Sequence, residues 1–129
     1  NAIKKAASSK NSKVKSAAIS ALEEHIRQTQ DQEAIRLVES SINDSSENVQ
    51  IEAIKLAGNL YKIESLIPLL ISKLTNKSPD IRKSSVCSLM QLNIKEALNQ
   101  LKFLIEVEQD INVKKIIALA IRKINTSDI

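Results

Sequence analysis

The chain has 129 residues, of which 43% are hydrophobic, and a formal net charge of +4, which suits one globular domain. One glycine and two prolines exclude a β-protein with many tight turns, and a single cysteine excludes an internal disulfide. No apolar run approaches the roughly 20 residues of a membrane span and no targeting segment is visible, so we expect a cytoplasmic protein. The chain starts without Met in sequence that looks helical, and we expect it to be part of a longer protein.

A helical register recurs four times along the chain. A residue that favours helix N-caps is followed three places later by a β-branched aliphatic residue, and then by a run of small and aliphatic residues. The caps are spaced by 35, 32 and 32 residues, and a period of this size is typical of stacked helical repeats. The four pairs are Asn11 and Val14, Ser46 and Val49, Ser78 and Ile81, and Asp110 and Val113.

A second amphipathic segment precedes each of the last three of these helices. These segments cover 34–42, 67–74 and 98–107, and polar connectors separate the predicted helices at 28–32, 43–46, 75–78 and 108–110. The pattern predicts one domain over 1–129, built from helix–turn–helix units. The expected units are roughly 1–27, 33–62, 64–94 and 95–125, with the first one partial.

Small residues recur on one face of the longer helices. At the positions four and seven places after the β-branched residue, three of four residues are small. These positions share a helical face, so we expect that face to be buried and to let a neighbouring helix approach closely. The residues are Ala18, Ala53, Ser85 and Ile117 at the first position, and Ala21, Leu56, Ser88 and Ala120 at the second.

The arrangement resembles the HEAT-repeat family. Members often open the second helix of a unit with an aliphatic residue and arginine, and follow it with small residues and a closing leucine. The best matches are Ile81-Arg82, Ala53 with Ala57-Gly58, and Ala17-Ala18 with Ala21-Leu22. The resemblance implies an all-α, right-handed α-solenoid of about four repeats. Tetratricopeptide repeats need a Trp-containing pattern that is absent, and armadillo units need a third helix and about 40 residues.

Few residues could support catalysis. His25 is the only histidine, which excludes a metal site built on histidines, and we expect it to fill the closing apolar position of its helix. Cys87 has no histidine in its repeat to activate it, and we expect it to be a small filler. Gly58 alone cannot make a phosphate-binding loop. We therefore predict a protein that is not an enzyme, with no metal and no cofactor.

The distribution of charge is the feature of the sequence that indicates a binding surface. Residues 1–64 carry nine basic and nine acidic side chains, whereas residues 65–129 carry ten basic and six acidic ones. Stacking in register turns such positions into rows along one surface. The candidate partner-binding residues are Arg82, Lys83, Lys114, Lys115, Arg122 and Lys123.

A structural role for the same charges is the alternative. In HEAT-like proteins the polar residue after the opening aliphatic often pairs with acids in neighbouring turns. Asp44, Asp80 and Asp110 are placed to do this for Gln50, Arg82 and Lys114 respectively. The remaining lysines would then keep a helical surface hydrated.

Three functions are compatible with this sequence. The first is a non-catalytic scaffold whose stacked helices bind another protein. The second is binding of nucleic acid or another polyanion through the basic C-terminal half, although aromatic residues that stack on bases are nearly absent. The third, implied by the family resemblance, is an accessory subunit of an enzyme such as a HEAT-like bilin lyase.

Overall fold

The computed structural model describes residues 2–126, and within this range the chain is helical and contains no strand. Three short 3-10 helices, Glu64–Leu66, Lys73–Thr75 and Lys95–Ala97, lie between or after the α-helices of the second half. None of the helices in this range is long and apolar enough to cross a bilayer. The α-helices are α1 (Ala2–Ala7), α2 (Ser12–Thr29), α3 (Gln32–Ile42), α4 (Glu47–Asn59), α5 (Ile67–Ser72), α6 (Pro79–Gln91), α7 (Leu98–Val107) and α8 (Ile111–Thr126).

The four recurring cap residues begin the four longer helices, as the register predicts. The Asn11 side chain accepts hydrogen bonds from the backbone N–H groups of Lys13 and Val14. The hydroxyls of Ser46 and Ser78 each accept one from the third residue of the helix that follows. Asp110 accepts two, at 2.9 and 3.1 Å. Each cap satisfies N–H groups that have no partner inside the helix.

The helices form two layers. In the second layer α2, α4, α6 and α8 lie side by side, each packed on the next, while α1, α3, α5 and α7 each pack on the second-layer helix that follows them. One continuous aliphatic core lies between the layers, with fully buried side chains such as Ile19, Ile54, Leu89 and Ile124. The prediction of an all-α solenoid is confirmed.

Burial along the predicted inner face is confirmed for the later helices and wrong at the start of the first. Val49, Ile81 and Val113 are 2% exposed or less, but Val14 is 44% exposed. Ala21 is also exposed. The reason is that, among the described residues, no second-layer helix precedes α2 to cover this side.

Helices α4 and α6 approach each other closely in the second layer. A Cβ placed on Gly58 would lie 2.7 Å from the Cα of Ser88, and 2.5 Å from its Oγ. The Ser88 hydroxyl donates to the backbone oxygen of Ile54 at 2.7 Å, and the buried Ser85 hydroxyl donates to that of Leu70. Small residues on this face therefore do allow tight helix packing, and the two buried serines have partners.

Candidate partner-binding surface

A row of side chains at the turns, here called the turn ladder, joins neighbouring units. Each member directly follows the opening aliphatic of a second-layer helix and contacts a turn; the members are Lys15, Gln50 and Arg82. Arg82 forms a bidentate ion pair with Glu108, in which Nε donates to Oε1 at 2.9 Å and Nη2 donates to Oε2 at 2.8 Å. Its Nη1 also donates to the backbone oxygens of Asn76 and Lys77.

The Arg82–Glu108 pair is shielded from water. The two side chains are 17% and 6% exposed. The hydrogen bonds from Arg82 hold the pKa of Glu108 below its ordinary value, against the opposing effect of burial. The same contact raises the pKa of Arg82. With its donors in use, this guanidinium is a structural group.

The other rungs of the ladder use different acceptors. Lys15 forms an ion pair with Asp44 at 2.5 Å, and the Gln50 amide donates to the backbone oxygen of Asp44 at 2.6 Å. Pairing between neighbouring turns is thus confirmed for Lys15 and Arg82, whereas Gln50 contacts the turn before its own helix and uses the backbone of Asp44. Two of the expected acids, Asp80 and Asp110, are wrong. The acid that pairs with Arg82 is Glu108 and not Asp80, because the turn between α7 and α8, which contains Glu108, lies beside the beginning of α6. Asp110 caps α8.

His25 makes a polar contact, which corrects the expectation that it fills an apolar position. Its Nε2 lies 2.9 Å from Oδ2 of Asp31, the N-cap of α3, and Lys4 reaches the same oxygen at 2.9 Å. The hydrogen bonds from His25 and then from Lys4 hold the pKa of Asp31 far below its usual range. The cluster ties α1, α2 and α3 together. No group of metal-binding residues occurs within residues 2–126.

Cys87 is half-buried on α6. Burial raises the pKa of its thiol, and the nearby positive charge of Lys83 offsets this only in part. A thiol that stays protonated at neutral pH is a poor nucleophile. Cys87 therefore lacks the lowered pKa on which catalytic cysteines depend.

Grooves run between neighbouring helices on the exposed side of the second layer. The groove between α2 and α4 has a volume of about 550 Å³, and that between α4 and α6 about 460 Å³. They share Ile51 and Lys55. We call this side the outward face and define it by the residues two, six and ten places after each opening aliphatic. Its members are Ser16, Ser20 and Glu24 on α2, Ile51, Lys55 and Asn59 on α4, Lys83, Cys87 and Gln91 on α6, and Lys115, Leu119 and Lys123 on α8.

The six predicted partner-binding residues do not form one row. Lys83 lines the α4/α6 groove, and Lys115 and Lys123 have outward-face positions on α8 and are exposed. These three share a surface. Arg82 is held in the turn ladder.

The other two predicted residues lie at other register positions. Lys114 follows the opening aliphatic of α8 as Arg82 follows that of α6, is exposed, and has no ion pair within residues 2–126. Arg122 is also exposed and has the register position of Gly58, which on α4 faces α6. A role of these residues in binding stays a prediction.

Lys55 is the outward-face residue that the sequence interpretation missed. It is exposed and lines both grooves. It lies six places after Val49, as Cys87 lies six places after Ile81. Reading every position two, six and ten places after the aliphatic would have found it.

Comparison with known proteins identifies the class. A family model described as HEAT repeats matches residues 36–122, two thirds of the chain, and the chain belongs to the HEAT-repeat family. Its sequence is also similar to the bilin biosynthesis protein MpeU of Synechococcus sp. (strain WH8020), with 28% identity over 115 residues. The match covers 89% of this chain and 39% of that relative. The chain therefore spans well under half the length of this curated relative.

Proposed function

We propose that the chain is a non-catalytic scaffold that holds an acidic segment of a partner protein on its outward face. The observation that supports this proposal is the positive charge of that face. Between α4 and α8 its charged members are all lysines, and within the described part of the chain none of them forms an ion pair. They are Lys55, Lys83, Lys115 and Lys123.

The contrast with the turn ladder supports this assignment. Arg82 is neutralised by Glu108, whereas the outward-face lysines keep their charge available in water. A surface of one sign attracts partners of the opposite sign and speeds their association, an effect that weakens as salt rises. HEAT repeats commonly mediate protein interactions, and the family is generally non-catalytic.

Titration at two salt concentrations tests the proposal. The probes are a glutamate-rich peptide, a matched glutamine-rich peptide, duplex DNA and single-stranded RNA. We expect the glutamate-rich peptide alone to bind, and its affinity to fall with salt. Lys115→Glu with Lys123→Glu should weaken binding, and Lys77→Glu with Lys102→Glu, which changes two exposed lysines elsewhere, should leave binding nearly unchanged. Salt-sensitive binding of either nucleic acid would instead favour the polyanion function.

The relative named for bilin biosynthesis supports a second candidate, a role as an accessory in that process. Under this proposal the chain binds a bilin, or a protein that carries one, without catalysing a reaction itself. A linear tetrapyrrole carries carboxylates, which the outward-face lysines could pair with. The test is a change in the absorption spectrum of a bilin on addition of the chain. An unchanged spectrum with micromolar protein would remove direct bilin binding.

A further inference from the structure

The groove between α4 and α6 has an amine on each wall. Lys55 lies on the α4 wall and Lys83 on the α6 wall, and both are exposed. Asp80 is the one acid among the groove's lining residues, and it lies at the beginning of α6. Neither lysine forms an ion pair with it or with another acid in residues 2–126.

Hydrogen-bond donors continue along the groove beyond the amines. Asn59 and Gln91 line the same groove. Asn59 lies one turn beyond Lys55 on α4, and Gln91 lies two turns beyond Lys83 on α6. Their side-chain amides can donate to and accept from a peptide backbone. Ile51 and Cys87 add apolar side chains to the lining of this groove.

The dimensions suit a short extended segment. Ile51 and Asn59 are eight residues apart on one helix, which corresponds to about 12 Å at 1.5 Å per residue. An extended peptide advances about 3.3 Å per residue, so the groove accommodates three or four residues. The tight contact of Gly58 with Ser88 holds the two helices close together beside the groove.

We infer that the α4/α6 groove is an acidic-peptide subsite, in which Lys55 and Lys83 hold one anionic side chain from opposite walls. Charge-assisted hydrogen bonds from two ammonium groups favour a carboxylate or a phosphate. Asn59 and Gln91 bind the backbone of the same segment. This inference rests on the proposed scaffold function and adds the place and the chemistry of recognition.

Cys87 provides a probe of this one groove. It is the only cysteine in the chain and lines the same groove as the two amines, so a neutral alkylating reagent reports on access to this groove alone. The rate of Cys87 alkylation is measured with a glutamate-containing peptide, with the same peptide carrying phosphoserine, and with a glutamine-containing control. We expect the two anionic peptides to slow alkylation severalfold and the control to leave it unchanged.

Charge reversal supplies the second readout. Lys55→Glu and Lys83→Glu should each weaken binding of the anionic peptides by roughly tenfold and abolish the protection of Cys87. Lys77→Glu and Lys102→Glu serve as controls that keep wild-type affinity. All four positions are exposed, and thermal melts verify that each variant is folded. The affinities of the two anionic peptides show whether the subsite prefers a phosphate or a carboxylate.

The outcomes separate this inference from the function on which it rests. If the anionic peptides bind with wild-type affinity to the Lys55 and Lys83 variants, and Cys87 reacts at an unchanged rate, the subsite is elsewhere and the scaffold proposal stands. If no anionic peptide binds to the wild-type chain at low salt, both proposals are wrong.

Discussion

Gly58 shows how one residue can control the packing of two helices. Alanine in place of a helical glycine is ordinarily stabilising by about 1 kcal/mol. Here the added Cβ would meet the backbone of Ser88 at 2.7 Å, and backbone atoms cannot turn aside as a flexible side chain can. Overpacking of this kind costs about 1–3 kcal/mol.

We therefore predict that Gly58→Ala destabilises the chain by about 1–2 kcal/mol, since the steric cost exceeds the gain in helix propensity. Urea unfolding followed by circular dichroism measures the change. Lys55→Ala, on the exposed side of the same helix, is the control and should shift stability by less than about 0.5 kcal/mol. A more stable Gly58→Ala variant would contradict the close contact.

Glu108 links stability to pH. Its pKa is lower in the folded chain than its ordinary value of 4.5 because it accepts hydrogen bonds from Arg82. A carboxyl whose pKa is lowered by folding stabilises the fold above its unfolded pKa, and this contribution is lost as the pH falls through the folded value. The pair thus acts fully at neutral pH and fades below about pH 4.5.

We predict that Glu108→Gln lowers the free energy of unfolding by about 2–3 kcal/mol at pH 7, because it leaves the shielded Arg82 guanidinium without its counter-charge. The difference from wild type should shrink as the pH falls below 4.5. Denaturant unfolding at pH 7, 5 and 3.5 measures it. Glu106→Gln, at an exposed position two residues earlier, should show neither effect.

At the scale of the element, each second-layer helix depends on its cap. Asp110 is the cap of α8 and accepts from the N–H groups of Asn112 and Val113, and its charge also favours the positive end of the helix dipole. We predict that Asp110→Ala destabilises the chain by about 1 kcal/mol. Asp110→Asn keeps the accepting oxygen and should cost only a few tenths, which thermal melts of the two variants can compare.

Helix starts could be predicted from the sequence because they depend on residues within one turn. The caps Asn11, Ser46, Ser78 and Asp110 all fulfil that role. The exposure of Val14 could not be predicted, because the identical register position is buried wherever another second-layer helix precedes it. Burial at this position therefore depends on whether a neighbouring helix is present and not on the residue itself.

The candidate site was predictable only in part for the same reason. Lys83 was found because it follows the opening aliphatic closely, but Lys55 was missed because the α6 wall that completes its groove is distant in sequence. Arg82 was placed with the binding residues although its partner is Glu108, 26 residues later. Which charges are free depends on how the turns meet in the stack.

At the scale of the whole molecule, contacts lie between adjacent units. A stack of this kind is longer than it is wide. We predict that small-angle scattering of the chain gives a radius of gyration clearly above 14 Å, the approximate value for a compact domain of this length. A value near 14 Å at low concentration would contradict the solenoid. The measurement at several concentrations separates elongation from self-association.

The Gly58–Ser88 contact also bears on the curvature of the solenoid. Because α6, α7 and α8 are joined to α2, α3 and α4 chiefly through the α4–α6 packing, a side chain inserted at Gly58 would act as a wedge at the end of α4. Helices α6, α7 and α8 would then rotate together, so a small displacement at position 58 would produce a larger displacement at α8. The curvature of this solenoid therefore depends on the absence of a Cβ atom at position 58.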